Sequence, residues 1–97
     1  MNIRIQAIHF EIADRLTDFI NKKANKLARR FPDITDVDVN LRVVKPETAM
    51  NKEAILRVIL PLSPALVATK TADTFEAAVA LCLEAVERQL EKNKEKK

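Results

Sequence analysis

Apolar and polar residues alternate along three parts of this chain and recur at helical spacing in two others. Residues 2–8 set Ile3, Ile5 and Ala7 against Asn2, Arg4 and Gln6, the pattern of a half-buried strand. From Asp14 to Arg30 the period lengthens. Leu16, Phe19, Ile20, Ala24, Leu27 and then Phe31 recur in three- and four-residue steps, which predicts an amphipathic helix. Asp14 serves as its start signal, and Pro32 stops it at or before Phe31. Residues 36–44 alternate strictly, with Val37, Val39, Leu41 and Val43 against Asp38, Asn40 and Arg42. Lys45 to Lys52 reads as a turn or short loop. Residues 53–60 form a third strand, with Ala54, Leu56, Val58 and Leu60 on one side. Ile55, Arg57 and Ile59 on the other side mark it as central. Pro61 and Pro64 bracket a turn, Ala65 to Lys70 makes a short last strand, and a second helix runs from about Asp73. Phe75, Ala78, Val79, Cys82, Leu83, Val86 and Leu90 form its buried stripe. The charged residues 93–97 are expected to fray.

The order is strand, helix, three strands, helix. The long first connection allows the first strand to pair in parallel with a neighbour through a right-handed crossover, and the next three suit an antiparallel meander. Both helices must bury a stripe, and one sheet face accommodates both. The expected fold is therefore α+β: a two-layer β-α-β-β-β-α sandwich with two helices on one face of a four-stranded sheet. Residues 1–97 are expected to form a single domain.

Composition narrows the chemistry. The 97 residues are 47% hydrophobic and 32% charged, an ordinary globular balance, and contain no glycine. A glycine-rich phosphate loop or dinucleotide fingerprint is thereby excluded. The single cysteine rules out an intramolecular disulfide and fits a reducing compartment. The start has no signal-peptide core and no run is long enough for a membrane span, so a cytosolic protein is expected, with no membrane partner. His9 is the only histidine and has no partner at catalytic spacing; a turn residue is the expectation. Cys82, on an apolar stripe, is expected in the core. One histidine and one cysteine do not fill a four-ligand site, so neither metal nor cofactor is implied. Asp36 and Asp38 point to the same side of a strand, as a solvated face. The four phenylalanines read as core or boundary residues, which disfavours base stacking on exposed aromatics.

A net charge of +3 says little until the charges are placed on the helices. With Leu16 at zero and about 100° per residue, Leu16, Ile20, Leu27 and Phe31 fall between about 0° and 60°. Arg15, Lys22, Lys23, Lys26, Arg29 and Arg30 fall between about 220° and 340°, while Asp14, Thr17, Asp18, Asn21 and Asn25 occupy about 100° to 200°. The second helix repeats the division. Arg88, Lys92 and Lys96 form one ridge, and Glu76, Glu84, Glu87 and Glu91 gather on another side; Lys94 falls close to the glutamates. Merely solvated helices usually mix the signs for i,i+4 pairing. Two segregated helices point to two basic ridges flanking a groove that contacts phosphates.

These residues carry a family likeness. In the first helix, Phe19-Ile20-Asn21-Lys22-Lys23-Ala24-Asn25-Lys26-Leu27 resembles the lysine, two residues, lysine-leucine pattern of the short-form ribosome hibernation-promoting factors, also called ribosome-associated inhibitor or ribosomal subunit interface proteins. In the second, the resemblance rests on Ala72-Asp73-Thr74-Phe75-Glu76-Ala77-Ala78-Val79 and on Val86-Glu87-Arg88-Gln89-Leu90-Glu91-Lys92-Asn93-Lys94, the latter similar to the family's arginine-glutamine-leucine followed by spaced lysines. The likeness covers essentially the whole chain. It implies a fold similar to double-stranded-RNA-binding domains. It also implies a non-enzymatic inhibitor of translation that occupies the decoding channel of the small ribosomal subunit, bound to ribosomal RNA and excluding tRNA and mRNA. No small-molecule substrate and a monomer off the ribosome are expected.

The family pattern falls on Lys23, Lys26, Arg88, Lys92 and Lys94; the face analysis adds Lys22, Arg29, Arg30 and Lys96. The chain departs from the family at Ala80, where many members carry aspartate, and at Ala13, where many carry a serine, threonine or aspartate helix start. It ends soon after the second helix, as expected of the short form rather than of the dimerising long form, and without the tail of the purely inhibitory form. The competing reading is a protein-interaction or transcription-modulating module that uses the same charged helices.

Overall fold

The alternation in residues 36–44 becomes the strand that organises the sheet. The computed structural model describes residues 1–44 and 49–95, with side chains as far as residue 92. Its strands are β1 (Asn2–Ala7), β2 (Asp36–Val43), β3 (Lys52–Ile59) and β4 (Leu66–Ala72), and its helices are α1 (Asp14–Arg30) and α2 (Phe75–Glu95). The turn expected from Lys45 falls partly on residues 45–48, which lie outside the described residues.

The sheet order is β1-β2-β3-β4. β1 runs parallel to β2, with Ile3 opposite Val37 and Ile5 opposite Val39; β2, β3 and β4 pair antiparallel. A parallel pair cannot be closed by a tight turn, and α1 supplies the required crossover. Val37, Val39, Leu41, Ala54, Leu56 and Val58 are buried together with Leu16, Ile20, Ala24 and Leu27 of α1 and Ala78, Val79, Cys82, Val86 and Leu90 of α2. Within each strand the buried residues share one parity, and the register sets Val37 opposite Val58, Val39 opposite Leu56 and Leu41 opposite Ala54, so both helices cover the same face. This is the two-layer α+β sandwich expected from the pattern. Each large aliphatic side chain enclosed there contributes about 1.5–3 kcal/mol relative to exposure. α2 lies over β3 and β4, with α1 beside it on the β1 side.

The helix starts differ from the expectation in instructive ways. Ala13 occupies the N-cap of α1 without a side-chain cap, and its carbonyl accepts the N–H groups of Leu16 and Thr17. Asp14 sits in the first turn instead, where its charge opposes the helix dipole's positive end favourably. At α2 the cap is Thr74, whose Oγ1 accepts the Ala77 N–H at 3.1 Å. Asp73 is used elsewhere: its carboxylate accepts the Met50 N–H at 2.9 Å. β4 consequently extends to Ala72 and α2 begins at Phe75. α2 continues through Glu95, into the segment expected to fray.

With no glycine available, His9, Met50 and Leu62 take positive φ angles of 64°, 57° and 61°. His9 is an exposed residue in the bend after β1, as expected of a turn histidine. The bend is pinned by Phe10, which stacks on Phe75 with ring centroids 4.8 Å apart. Cys82 is enclosed in the core, as its place on the stripe predicts, and its thiol lies 3.2 Å from the Ala54 carbonyl oxygen.

Candidate nucleic-acid interface

The buried stripe of α1 dictates where its cations go. With Leu16, Ile20, Ala24 and Leu27 held against the sheet, Lys22, Lys23, Lys26, Arg29 and Arg30 emerge exposed on the far side and on the flank next to α2. Two of them rest on rings. The Lys23 Nζ lies 5.7 Å from the Phe19 ring centroid, and the Arg30 guanidinium carbon 5.3 Å from that of Phe31. Such contacts orient a long side chain and leave its charge in water.

Arg30 reveals how the helices are rotated against each other. Its guanidinium lies 3.6 Å from the Glu87 carboxylate and is also hydrogen-bonded to Glu91. The acidic flank of α2 therefore faces the basic flank of α1. Arg88 is about 100° further round α2 than Glu87 and Lys92 about 100° beyond Glu91, both away from α1. Here the structure departs from the sequence reading: the two basic ridges do not face each other across one groove. They lie on the same helical layer, separated by a line of glutamates.

The placed cations fall into two groups. Arg30 is paired as described, and Arg88 donates to Glu84 at 2.8 Å within its own helix. Lys22, Lys23, Lys26, Arg29 and Lys92 make no ion pair among the described residues and are exposed. Exposed ion pairs are worth only about 0–1 kcal/mol, so Arg30 and Arg88 exchange their carboxylates for a phosphate at small cost. The side chains of Lys94 and Lys96 lie outside the described residues.

One cation escaped the sequence reading. Lys70 has the same parity in β4 as the buried Ala68 and Ala72, which directs it toward the helices, yet it is exposed. β4 is the edge of the sheet, and an inward-directed lysine there reaches water past α2. The interruption of an apolar parity by a lysine was the signal available in the sequence.

The one histidine and the one cysteine lie far apart in character. His9 lies on the surface beyond β1, whereas burial pushes the Cys82 thiol up from its ordinary 9.0, despite hydrogen bonds to the backbone. Among the described residues no group of three or more histidine, cysteine, aspartate or glutamate residues could hold a metal ion. No described helix is long and apolar enough to cross a membrane.

The profile of the family described as sigma 54 modulation protein / S30EA ribosomal protein matches residues 3–97. The chain is 32% identical over 96 residues to a ribosome hibernation promoting factor of Azotobacter vinelandii, covering 99% of this chain and 85% of that protein. It is 30% identical over 97 residues to a ribosome hibernation promotion factor of Bacillus subtilis (strain 168), covering 99% of this chain but only 50% of that longer protein. A ribosomal subunit interface protein from Coxiella burnetii superposes with a TM-score of 0.85 at 23% identity, over 97% of this chain and 98% of the other. The N-terminal domain of Thermus thermophilus Protein Y gives 0.77 at 24% identity, over 95% and 98% of the two chains. These two likenesses establish the shared fold.

Proposed function

The chain belongs to the sigma 54 modulation protein / S30EA ribosomal protein family, and from that premise we propose that it is a ribosome-associated hibernation factor. It binds ribosomal RNA of the small subunit in the decoding channel and blocks tRNA and mRNA there. The observation that carries this reading is the exposed set Lys22, Lys23, Lys26, Arg29 and Lys92, held by buried stripes on one rigid layer without ion-pair partners among the described residues. Such a surface neutralises phosphates along an RNA backbone. Phosphate contacts position a protein without reading sequence, so selectivity comes from RNA shape and from the fit of the body in its channel.

Inhibition then follows from occupancy alone and requires no bond to be made or broken. The protein acts in the cytoplasm, where its target is, and is a monomer away from the ribosome. Sedimentation through a sucrose gradient with purified ribosomal subunits tests this reading. The protein is expected to travel with the small subunit and to be released by high salt. Retention at the top of the gradient, together with capture of one stoichiometric protein partner in RNA-free medium, would favour a protein-interaction module instead.

A further inference from the structure

The helices cover one face of the sheet, and the other face has chemistry of its own. There Arg4 of β1 stands opposite Asp38 of β2, and Asp38 in turn opposite Arg57 of β3. One row along, Gln6 stands opposite Asn40. These side chains and Ile59 line a depression of about 820 Å³. It contains two guanidinium groups but one carboxylate. Arg4 takes that carboxylate, its Nε donating to Asp38 at 2.8 Å. Arg42, further along the face, is likewise matched, with Glu53. Arg57 is exposed and makes no ion pair among the described residues. A central strand thus carries an unmatched guanidinium next to two primary amides and an aliphatic wall.

The geometry points to a second RNA contact on this face, one that takes an unpaired nucleotide of single-stranded RNA. The inference rests on the RNA-binding reading above and extends it to the opposite side of the domain. Three features select the ligand. Arg57 offers a planar, donor-only cation that fits a phosphodiester or stacks on a base. Gln6 and Asn40 each offer both a donor and an acceptor, which the edge of an unpaired base can match. Ile59 supplies an apolar surface for the base or ribose. Duplex RNA is a poor fit, because its Watson–Crick edges are already taken by the paired strand and closed to Gln6 and Asn40. Among the described residues this face has no aromatic side chain, so the contact is one of hydrogen bonds and guanidinium stacking. With the helices holding phosphates on one side and the sheet holding a base on the other, the domain bridges two segments of RNA.

The test is a nuclear magnetic resonance titration of the full chain with single-stranded oligoadenylate of about six nucleotides, at low salt. The side-chain amides of Gln6 and Asn40 and the Arg57 Nε–H resonance are expected to shift. Arg57→Ala should weaken this binding about tenfold, and Arg57→Lys, which keeps the charge and loses the plane, should fall between the two. Lys22→Gln with Lys26→Gln should leave the sheet-face shifts in place while reducing association with ribosomal subunits. Failure of the parent to sediment with ribosomes would overturn the ribosomal reading while leaving the sheet-face shifts to be judged separately. Shifts confined to α1 and α2, no shifts at all, or an Arg57→Ala protein that binds as the parent does would each overturn the sheet-face contact.

Discussion

The Arg30 guanidinium of α1 lies 3.6 Å from the Glu87 carboxylate of α2. With Glu91 joining the same guanidinium, the basic flank of one helix meets the acidic flank of the other at the centre of the helical layer. The cations best placed to meet a phosphate without first losing a partner are therefore Lys22, Lys23, Lys26 and Arg29 on α1 and Lys92 on α2.

Freeing Arg30 should strengthen RNA association. Glu87→Gln with Glu91→Gln is expected to tighten binding to the small subunit at low salt, and to steepen its salt dependence by roughly one phosphate contact, a slope change of about 0.7–0.9. Loss of exposed pairs should change stability by no more than about 1 kcal/mol. Fluorescence anisotropy with labelled protein across a salt series measures both effects.

For the parent protein, four to six phosphate contacts give a slope of about −3 to −5 in log K against log salt. A slope near zero would mean that the lysines and arginines of the helices are not what holds the protein to RNA.

Cys82 is 0% exposed, and its thiol faces the carbonyl oxygens of Ala54 and Ala68. A maleimide should label it slowly in the native state and quickly in denaturant. Burial pushes its ionisation up from 9.0. The unfolded chain therefore releases this proton first as pH rises. The stability contributed by the neutral thiol is complete below pH 9.0 and is lost as pH climbs through the higher native value. Cys82→Ser should cost about 1–3 kcal/mol where the shorter hydroxyl misses both carbonyls, and should spare ribosome binding. Urea denaturation at pH 7 and at pH 10 checks both.

Leu62 is fully exposed and has a φ of 61°. A left-handed conformation costs a non-glycine residue about 1–2 kcal/mol, and no burial offsets it here. Leu62→Gly should thus be stabilising, by about 0.5–1 kcal/mol after the greater freedom of glycine in the unfolded chain is subtracted. An unchanged or lower urea midpoint would show that the turn between Pro61 and Pro64 is held in some other way.

Most of the fold was legible because local period and burial agree. Val37, Val39 and Leu41 alternate with polar neighbours and are at most 2% exposed, and the bounds of α1 coincide with the periodic run from Asp14 to Arg30. The resemblance in the two helices pointed to the same architecture and to the family. The rotation of α2 against α1 was not legible. A helical wheel shows that Glu87 and Arg88 lie on different sides of α2, but only the packing shows which side meets Arg30. Lys70 was missed because alternation directs it inward, while the exposure of an edge strand is a property of the whole sheet. Arg57 was visible as a polar residue on a central strand. That it makes no ion pair among the described residues depends on Asp38 being taken by Arg4 across the β1–β2 pairing.

The most direct measurement is chemical probing of small-subunit ribosomal RNA with the parent protein and with a variant carrying glutamine at Lys22, Lys23, Lys26 and Lys92. All four side chains are exposed, so the variant should fold, with changes of about ±0.5 kcal/mol at each site. The parent is expected to protect decoding-channel nucleotides and to be displaced by competing tRNA, and the variant to leave them reactive at the same concentration. Protection by the variant equal to that of the parent, or a parent that protects RNA only outside the decoding channel, would contradict the assignment of this helical layer as the surface that occupies the channel.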